Sequence, residues 1–154
     1  MAKTAETKKI ENYLWKFSQK MNTYRCFEVS MGISVYNQPR ERVDFLTYSS
    51  DGIVRCYEIK VSLSDFKSTA KKTFFGDYNY FVFTKELYEK LKGTVELRDY
   101  LYMGVGVVVE GTGVVIKPKH KVITAGQKVM IMESMMRSLS REVDKYYSKN
   151  PYWI

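Results

Sequence analysis

Histidine is nearly absent from this chain: among 154 residues there is one, His120. That removes most chemistry resting on a positioned imidazole, including Ser-His-Asp triads, His-metal nucleases and His-based RNA cleavage. His120 itself, in Lys117-Pro-Lys-His-Lys121, reads as a loop residue. Cysteine is scarce too. Cys26 and Cys56 have neither a pairing pattern nor metal-ligand spacing, and they suit a reducing intracellular setting as small core residues. No apolar run approaches membrane-spanning length, and the start, Met1-Ala-Lys-Thr-Ala-Glu-Thr-Lys-Lys9, lacks the apolar stretch of a secretory signal. The expectation is a cytoplasmic protein with no membrane partner.

Acid is in deficit as well. Seventeen aspartates and glutamates face 25 lysines and arginines, a formal charge of +8 with a sequence pI near 9.3. A surface of that sign attracts polyanions, so nucleic acid is the first partner to consider. Hydrophobic residues at 45% and charged residues at 27% are globular proportions, and the length suits one domain with a single core. No internal repeat, low-complexity tract or linker divides it.

Between about residues 8 and 22, Ile10, Leu14, Phe17 and Met21 recur at helical spacing, with Glu11 beside the stripe. Residues 25–36 alternate through Phe27, Val29, Met31, Ile33 and Val35 as a first strand, closed by a turn at Asn37-Gln-Pro39. Two more strands, 42–48 and 53–61, flank the hairpin signal Ser49-Ser-Asp-Gly52. Ser62-Leu-Ser-Asp65 opens a short helix as a capping box, and 79–83 is an apolar aromatic strand. Strand, helix and strand at this distance imply a parallel crossover. Thr84 caps a helix over 85–92 that Gly93 stops. Segments 102–110 and 114–117 flank Gly111-Thr-Gly113 as a second hairpin, and the Gly-x-Gly triplets there run into Val-Val rather than a helix, unlike a phosphate loop. From about Ala125 to Tyr147 a long helix carries Val129, Met132, Met136, Leu139 and Val143 as its apolar stripe, the face such a helix turns to a core. The aromatic stretch Tyr146-Tyr-Ser-Lys-Asn-Pro-Tyr-Trp-Ile154 either packs onto the domain, the expected outcome, or serves a homodimer or a protein partner.

Chemistry enters at the first hairpin. If Ser50, Asp51 and Gly52 form its loop, with Gly52 in the left-handed conformation, Ser49 faces Ile53 and counting outward sets Asp44 opposite Glu58. Directly opposed residues on antiparallel strands point to one face with Cβ atoms roughly 5 Å apart. Lys60, two along from Glu58, shares that face, whereas Tyr57, Ile59 and Val61 point to the other, where they can meet a core. Carboxylates that close raise a pKa unless a cation sits between them, and oxygen ligands with open positions suit Mg2+ or Mn2+. Such an ion would bind a scissile phosphate and acidify a water, while Lys60 holds that water and neutralises growing charge, which is phosphodiester hydrolysis. An ordinary cross-strand ion pair on a solvated sheet accounts for the same spacing.

Asp44, a spacer across a hairpin, and Glu58-Ile59-Lys60 resemble the PD-(D/E)XK motif of restriction-endonuclease-like nucleases, with Val43 where proline is usual. Arg42-Val-Asp-Phe45, Tyr57-Glu-Ile-Lys-Val-Ser62, Asp65-Phe66 and Asn79-Tyr-Phe-Val-Phe83 resemble the MmcB-like branch of DNA-repair-associated and phage-encoded nucleases, over roughly residues 11–92. The resemblance implies a single α/β (α+β) restriction-endonuclease-like domain: an αβββαβ core at about 8–92 with a mixed sheet flanked by helices, then the C-terminal hairpin and long helix at about 100–148. It implies that Asp44, Glu58 and the backbone carbonyl of Ile59 ligate Mg2+ or Mn2+, with Lys60 acting on water and phosphate. Relatives add an acid from the first helix or strand, for which Glu11 and Glu28 are the candidates. Glu28 is slightly favoured, because a carboxylate in an apolar strand is costly without a task. Arg42, Lys67, Lys71 and Lys72 are candidates for DNA phosphate contacts, set against an ordinary solvated face. Phe74, Phe75, Tyr78 and Tyr80 offer base-stacking surfaces, at least half of them expected in the core.

The expected activity is therefore that of a Mg2+- or Mn2+-dependent deoxyribonuclease in DNA repair, recombination or phage DNA metabolism, in the bacterial cytoplasm or a phage-infected host, with RNA left open as a substrate. The alternative is a phage-encoded nuclease-fold module, catalytically weak or inactive, that binds DNA or acts on another protein as an anti-defence inhibitor.

Overall fold

Thr4 caps the first helix by accepting the Thr7 N–H at 3.2 Å on its hydroxyl, so α1 (Ala5–Phe17) starts and stops earlier than its apolar stripe alone suggests, and Met21 falls beyond it. The computed structural model describes residues 3–32, 41–68 and 74–154. Three strands follow α1: β1 (Thr23–Ser30), β2 (Arg42–Ser49) and β3 (Val54–Lys60). The expected strand positions Ile33 and Val35, the turn at 37–39, and the phosphate-contact candidates Lys71 and Lys72 lie outside the described residues.

The Ser62 hydroxyl accepts the Asp65 N–H at 3.1 Å and opens α2 (Leu63–Lys67), after which β4 (Tyr78–Phe83) runs parallel to β3. Thr84 then caps α3 (Lys85–Leu91). The segment 102–110 is not one strand: α4 (Val95–Tyr102) occupies its start, and a turn with Gly104 at φ +96° separates it from β5 (Gly106–Val109). Its signal was Thr94, whose hydroxyl accepts the Leu97 N–H at 3.4 Å, followed by Leu97 and Leu101 four apart. A hairpin joins β5 to β6 (Gly113–Ile116), and α5 (Ala125–Lys149) closes the chain with a Thr124–Gln127 capping box.

The six strands form one mixed sheet in sequence order, antiparallel from β1 to β3, parallel from β3 to β5, and antiparallel again at β6. Because side chains alternate along a strand, each face has its own core. On one face, Ile10 and Leu14 of α1 pack with Phe45, Tyr57, Ile59, Tyr80, Val82 and Val108. On the other, α5 covers Cys26, Leu46, Val54 and Cys56, while α2, α3 and α4 cover Phe81, Phe83, Val107 and Val109. The result is one α/β (α+β) domain with a long C-terminal helix. Among the described residues no helix is long and apolar enough to cross a membrane.

Helix α5 lies where its pattern predicts but turns a different face to the sheet. Ile131, Ser134, Met135 and Ser138 are buried, whereas Val129, Met132, Met136, Leu139 and Val143, the expected core stripe, are exposed. Small side chains allow the close approach: Ser134 accepts the Gly32 N–H at 3.0 Å, and Arg137 donates to the carbonyls of Ser30 and Gly32 at 3.1 and 2.6 Å. Backbone groups at the end of β1 thus select the face, overriding total hydrophobicity. The C-terminal aromatics also depart from expectation. Tyr147, Tyr152 and Trp153 gather against one another, with ring centroids 4.9–5.7 Å apart, and Tyr152 and Trp153 remain exposed.

Candidate active site

The β2–β3 loop sets the register. Gly52 adopts φ +88°, its N–H donates to Ser49 O at 2.8 Å, and the Ser49 N–H donates to Ile53 O at 3.0 Å. Asp51 locks the loop by accepting the Ile53 N–H at 3.2 Å and the Ser49 hydroxyl. Pairing then runs Tyr48 with Val54, Thr47 with Arg55, Leu46 with Cys56 and Phe45 with Tyr57, so the next step sets Asp44 across from Glu58. There the ladder gives way to side chains. An Asp44 oxygen accepts the Ile59 N–H at 2.8 Å, and the Glu58 carboxyl lies near enough across the hairpin to act on the titration of Asp44. The N–H and C=O of a strand residue point to the same side, so the Ile59 carbonyl also faces the gap between β2 and β3.

Glu58 and Lys60 lie near the C-terminal end of β3, beside Phe81 and Phe83 of parallel β4. They therefore occupy the same sheet face as the two apolar clusters under α5 and under α2–α4, in the polar strip between them. Both are nearly enclosed, at 4% and 6% exposure. Burial pushes the Asp44 carboxyl above its ordinary value; the Ile59 N–H, the Lys60 ammonium and the Glu58 carboxyl pull it back without cancelling that effect, and the Asp65 charge adds to it. Two carboxylates facing each other at close range repel, which favours a cation between them. Two carboxylates with an adjacent backbone carbonyl are the hard oxygen donors that Mg2+ or Mn2+ prefers, and a divalent cation there would offset their repulsion.

Asp65 joins the site. One of its oxygens lies 3.8 Å from Lys60 Nζ and the other accepts the Val61 N–H at 3.2 Å. The spacing Ser62-x-x-Asp65 reads as a cap in sequence, and it performs that role, but the cap also delivers a third carboxylate beside the lysine. Lys67 is exposed at the end of α2, and Arg42 is exposed at the start of β2.

The two candidate accessory acids meet each other through a lysine. Lys3 pairs with Glu11 at 2.5 Å and with Glu28 at 3.3 Å. Glu28 stands opposite Asp44 by the β1–β2 register, yet its φ of +53° is left-handed. The two carboxylates line, with Lys3, Trp15, Arg25 and Leu139, a cavity of about 390 Å³. Among the described residues no group of three or more His, Cys, Asp or Glu side chains stands ready to hold a metal ion.

Of the aromatic stacking candidates, Tyr80 is buried with the α1-side core, while Phe74, Phe75 and Tyr78 pack partly buried against the three clusters. His120 serves structure: its Nε2 lies 3.2 Å from Asp77 Oδ1, where Lys128 Nζ also approaches at 3.6 Å and the Val54 N–H donates to Oδ2 at 2.8 Å.

No family model matches the chain, and no curated protein does. A solved structure shares its fold. That structure is a protein of unknown function from Silicibacter pomeroyi, which superposes with a TM-score of 0.65 at 12% identity, covering 95% of this chain and 91% of the other. At that identity the likeness concerns the path of the backbone, and the reading of the site rests on its own residues.

Proposed function

We propose that this protein is a Mg2+- or Mn2+-dependent deoxyribonuclease of the PD-(D/E)XK type, acting in DNA repair, recombination or phage DNA metabolism. The observation that carries the reading is the opposition of Asp44 and Glu58 across the hairpin, with Asp44 tied to the Ile59 N–H and Lys60 two residues along the same strand face. Asp44, Glu58 and the Ile59 carbonyl would hold the ion, which supplies Lewis acidity toward a phosphate and a bound water of lowered pKa. Asp44, kept in place by the Ile59 N–H, turns its other oxygen toward Glu58 and Lys60. Lys60 projects an ammonium from an almost enclosed stem, where a charge acts more strongly than in open water; it orients the attacking water and offsets negative charge on the phosphate. Asp65 holds the ammonium at 3.8 Å. The formal charge of +8, with Lys67 and Arg42 at the surface, attracts the DNA backbone. Buried free thiols at Cys26 and Cys56 suit a reducing cytoplasm.

The test is incubation with supercoiled, linear, branched and single-stranded DNA, and with RNA, with and without Mn2+. Metal-dependent DNA cleavage by the wild type, abolished in folded Glu58→Ala, is the expected result. Absence of cleavage on every substrate, or undiminished cleavage by Asp44→Ala and Lys60→Ala, overturns the proposal. One observation favours a second reading, a catalytically weak nuclease-fold module that binds DNA or a protein: Glu11 and Glu28 are both engaged by Lys3. DNA binding without cleavage would select it.

A further inference from the structure

Helix α5 carries two separate faces, and the sheet uses one. Its inward face is Ile131, Ser134, Met135 and Ser138. Its outward face carries Val129, Met132, Met136, Leu139, Val143 and Tyr146, spaced three, four, three, four and three apart. That is an unbroken heptad seam across five turns of helix. A straight α-helix of 3.6 residues per turn drifts off a 3.5-residue repeat, so the spacing fits contact with another helix that coils along it and fits a flat sheet poorly. Yet these six side chains are exposed, from 36% at Leu139 to 67% at Met136.

The surface is large enough to matter. At 36–67% exposure, these six side chains leave a contiguous apolar stripe on the order of a few hundred Å² on one chain. Monomeric proteins rarely expose a contiguous apolar patch beyond a few hundred Å² unless it binds something. Doubled across a two-fold and continued by the exposed aromatic rings at its end, it comes within reach of the ~1,000 Å² that a specific interface needs. Exposed Glu133, Ser140 and Glu142 border the stripe, the polar rim of a discrete interface.

We infer that α5 docks along this seam against α5 of a second copy of the chain. The seam complements itself. In an antiparallel two-fold arrangement Val129 lies across from Tyr146, Met132 across from Val143 and Met136 across from Leu139, so a short branched side chain meets a longer one in the outer layers. The opposed helix dipoles add to the attraction. Such a contact is isologous, uses the same patch on both chains and closes at two. The Tyr147, Tyr152 and Trp153 rings extend the apolar surface at the end of the seam.

Light scattering on the 154-residue chain at micromolar concentration tests it, with a mass of two chains expected. The double variants Met136→Glu with Leu139→Glu, and Met136→Lys with Leu139→Lys, alter solvent-facing positions of α5, Leu139 also edging the cavity beside Glu28; each is expected to keep its circular dichroism spectrum and to fall to half the mass. An equimolar mixture of the two restores the two-chain mass, because each glutamate then faces a lysine. A monomeric wild type overturns the inference, including one that binds anionic vesicles or another protein through this face. So does a double variant that stays dimeric, or a mixture of folded variants that stays monomeric.

Discussion

Two aspartates, Asp44 half-buried and Asp77 buried, behave in opposite ways. The Asp44 carboxyl is raised above its ordinary value of 3.8, chiefly by burial. Between the unfolded value and that raised folded value the native state holds more protons than the unfolded chain, so the site's contribution to stability falls as pH rises through the window. Metal-free wild type is expected to lose thermal stability from about pH 4 upward relative to Asp44→Asn, in melting curves recorded across pH. Adding Mn2+ at neutral pH is expected to raise the wild-type Tm and to leave folded Glu58→Ala unmoved, since ligand linkage acts only where binding occurs. Burial alone would raise Asp77 too, but the Val54 N–H, the His120 ring and the Lys128 ammonium outweigh it and hold this carboxyl below 3.8. Its stabilisation is present above pH 3.8 and disappears as pH falls through the lower folded value. Asp77→Ala leaves the buried Val54 N–H without its acceptor, and at neutral pH a loss of ~1–3 kcal/mol in denaturant titrations is expected. The thiols of Cys56 and Cys26 are pushed up by burial to about 12 and about 11, which makes both poor nucleophiles.

Among the elements, α5 gives the sharpest contrast. If the sheet uses its Ile131 face, Ile131→Ala and Met135→Ala each cost ~2–5 kcal/mol, whereas Met136→Ala changes monomer stability by under ~0.5 kcal/mol. Equal effects at Met135 and Met136 would contradict the packing. Another constrained element is the entry to β4, where Gly76 donates to Asn79 Oδ1 at 2.9 Å and accepts from Asn79 Nδ2 at 3.0 Å. A Cβ there would lie 2.8 Å from Val54 O and 2.9 Å from Tyr78 O, both backbone atoms, so no side chain can yield to it. Most element types, caps and the hairpin register were legible because they depend on neighbours a few residues apart: Gly52 and Asp51 in the loop, Ser62 and Thr84 at helix starts. Helix α4 was legible in principle through Thr94 and Leu97, but the following Val-rich run invited one long strand instead.

At the scale of the molecule, the +8 charge makes a claim about DNA binding. Affinity is expected to fall log-linearly with salt, by about 0.9 per phosphate contacted, and Lys67→Ala is expected to reduce that slope by about 1 without altering sequence preference. A slope near zero in fluorescence anisotropy would remove the basic surface from the reading. Sequence by itself determined most elements, the parallel crossover from β3 to β4, and the opposition of Asp44 to Glu58, because turn geometry and a two-residue side-chain period propagate along a hairpin without reference to the remaining chain. Tertiary structure alone decided the rest. Whether Glu11 and Glu28 turn to Lys3, whether Asp65 reaches Lys60, and which side of α5 meets the sheet are contacts between residues distant in sequence or set by backbone groups such as the carbonyls of Ser30 and Gly32. No local period encodes these, and a helix with two apolar stripes satisfies either packing until the strand beneath it selects one.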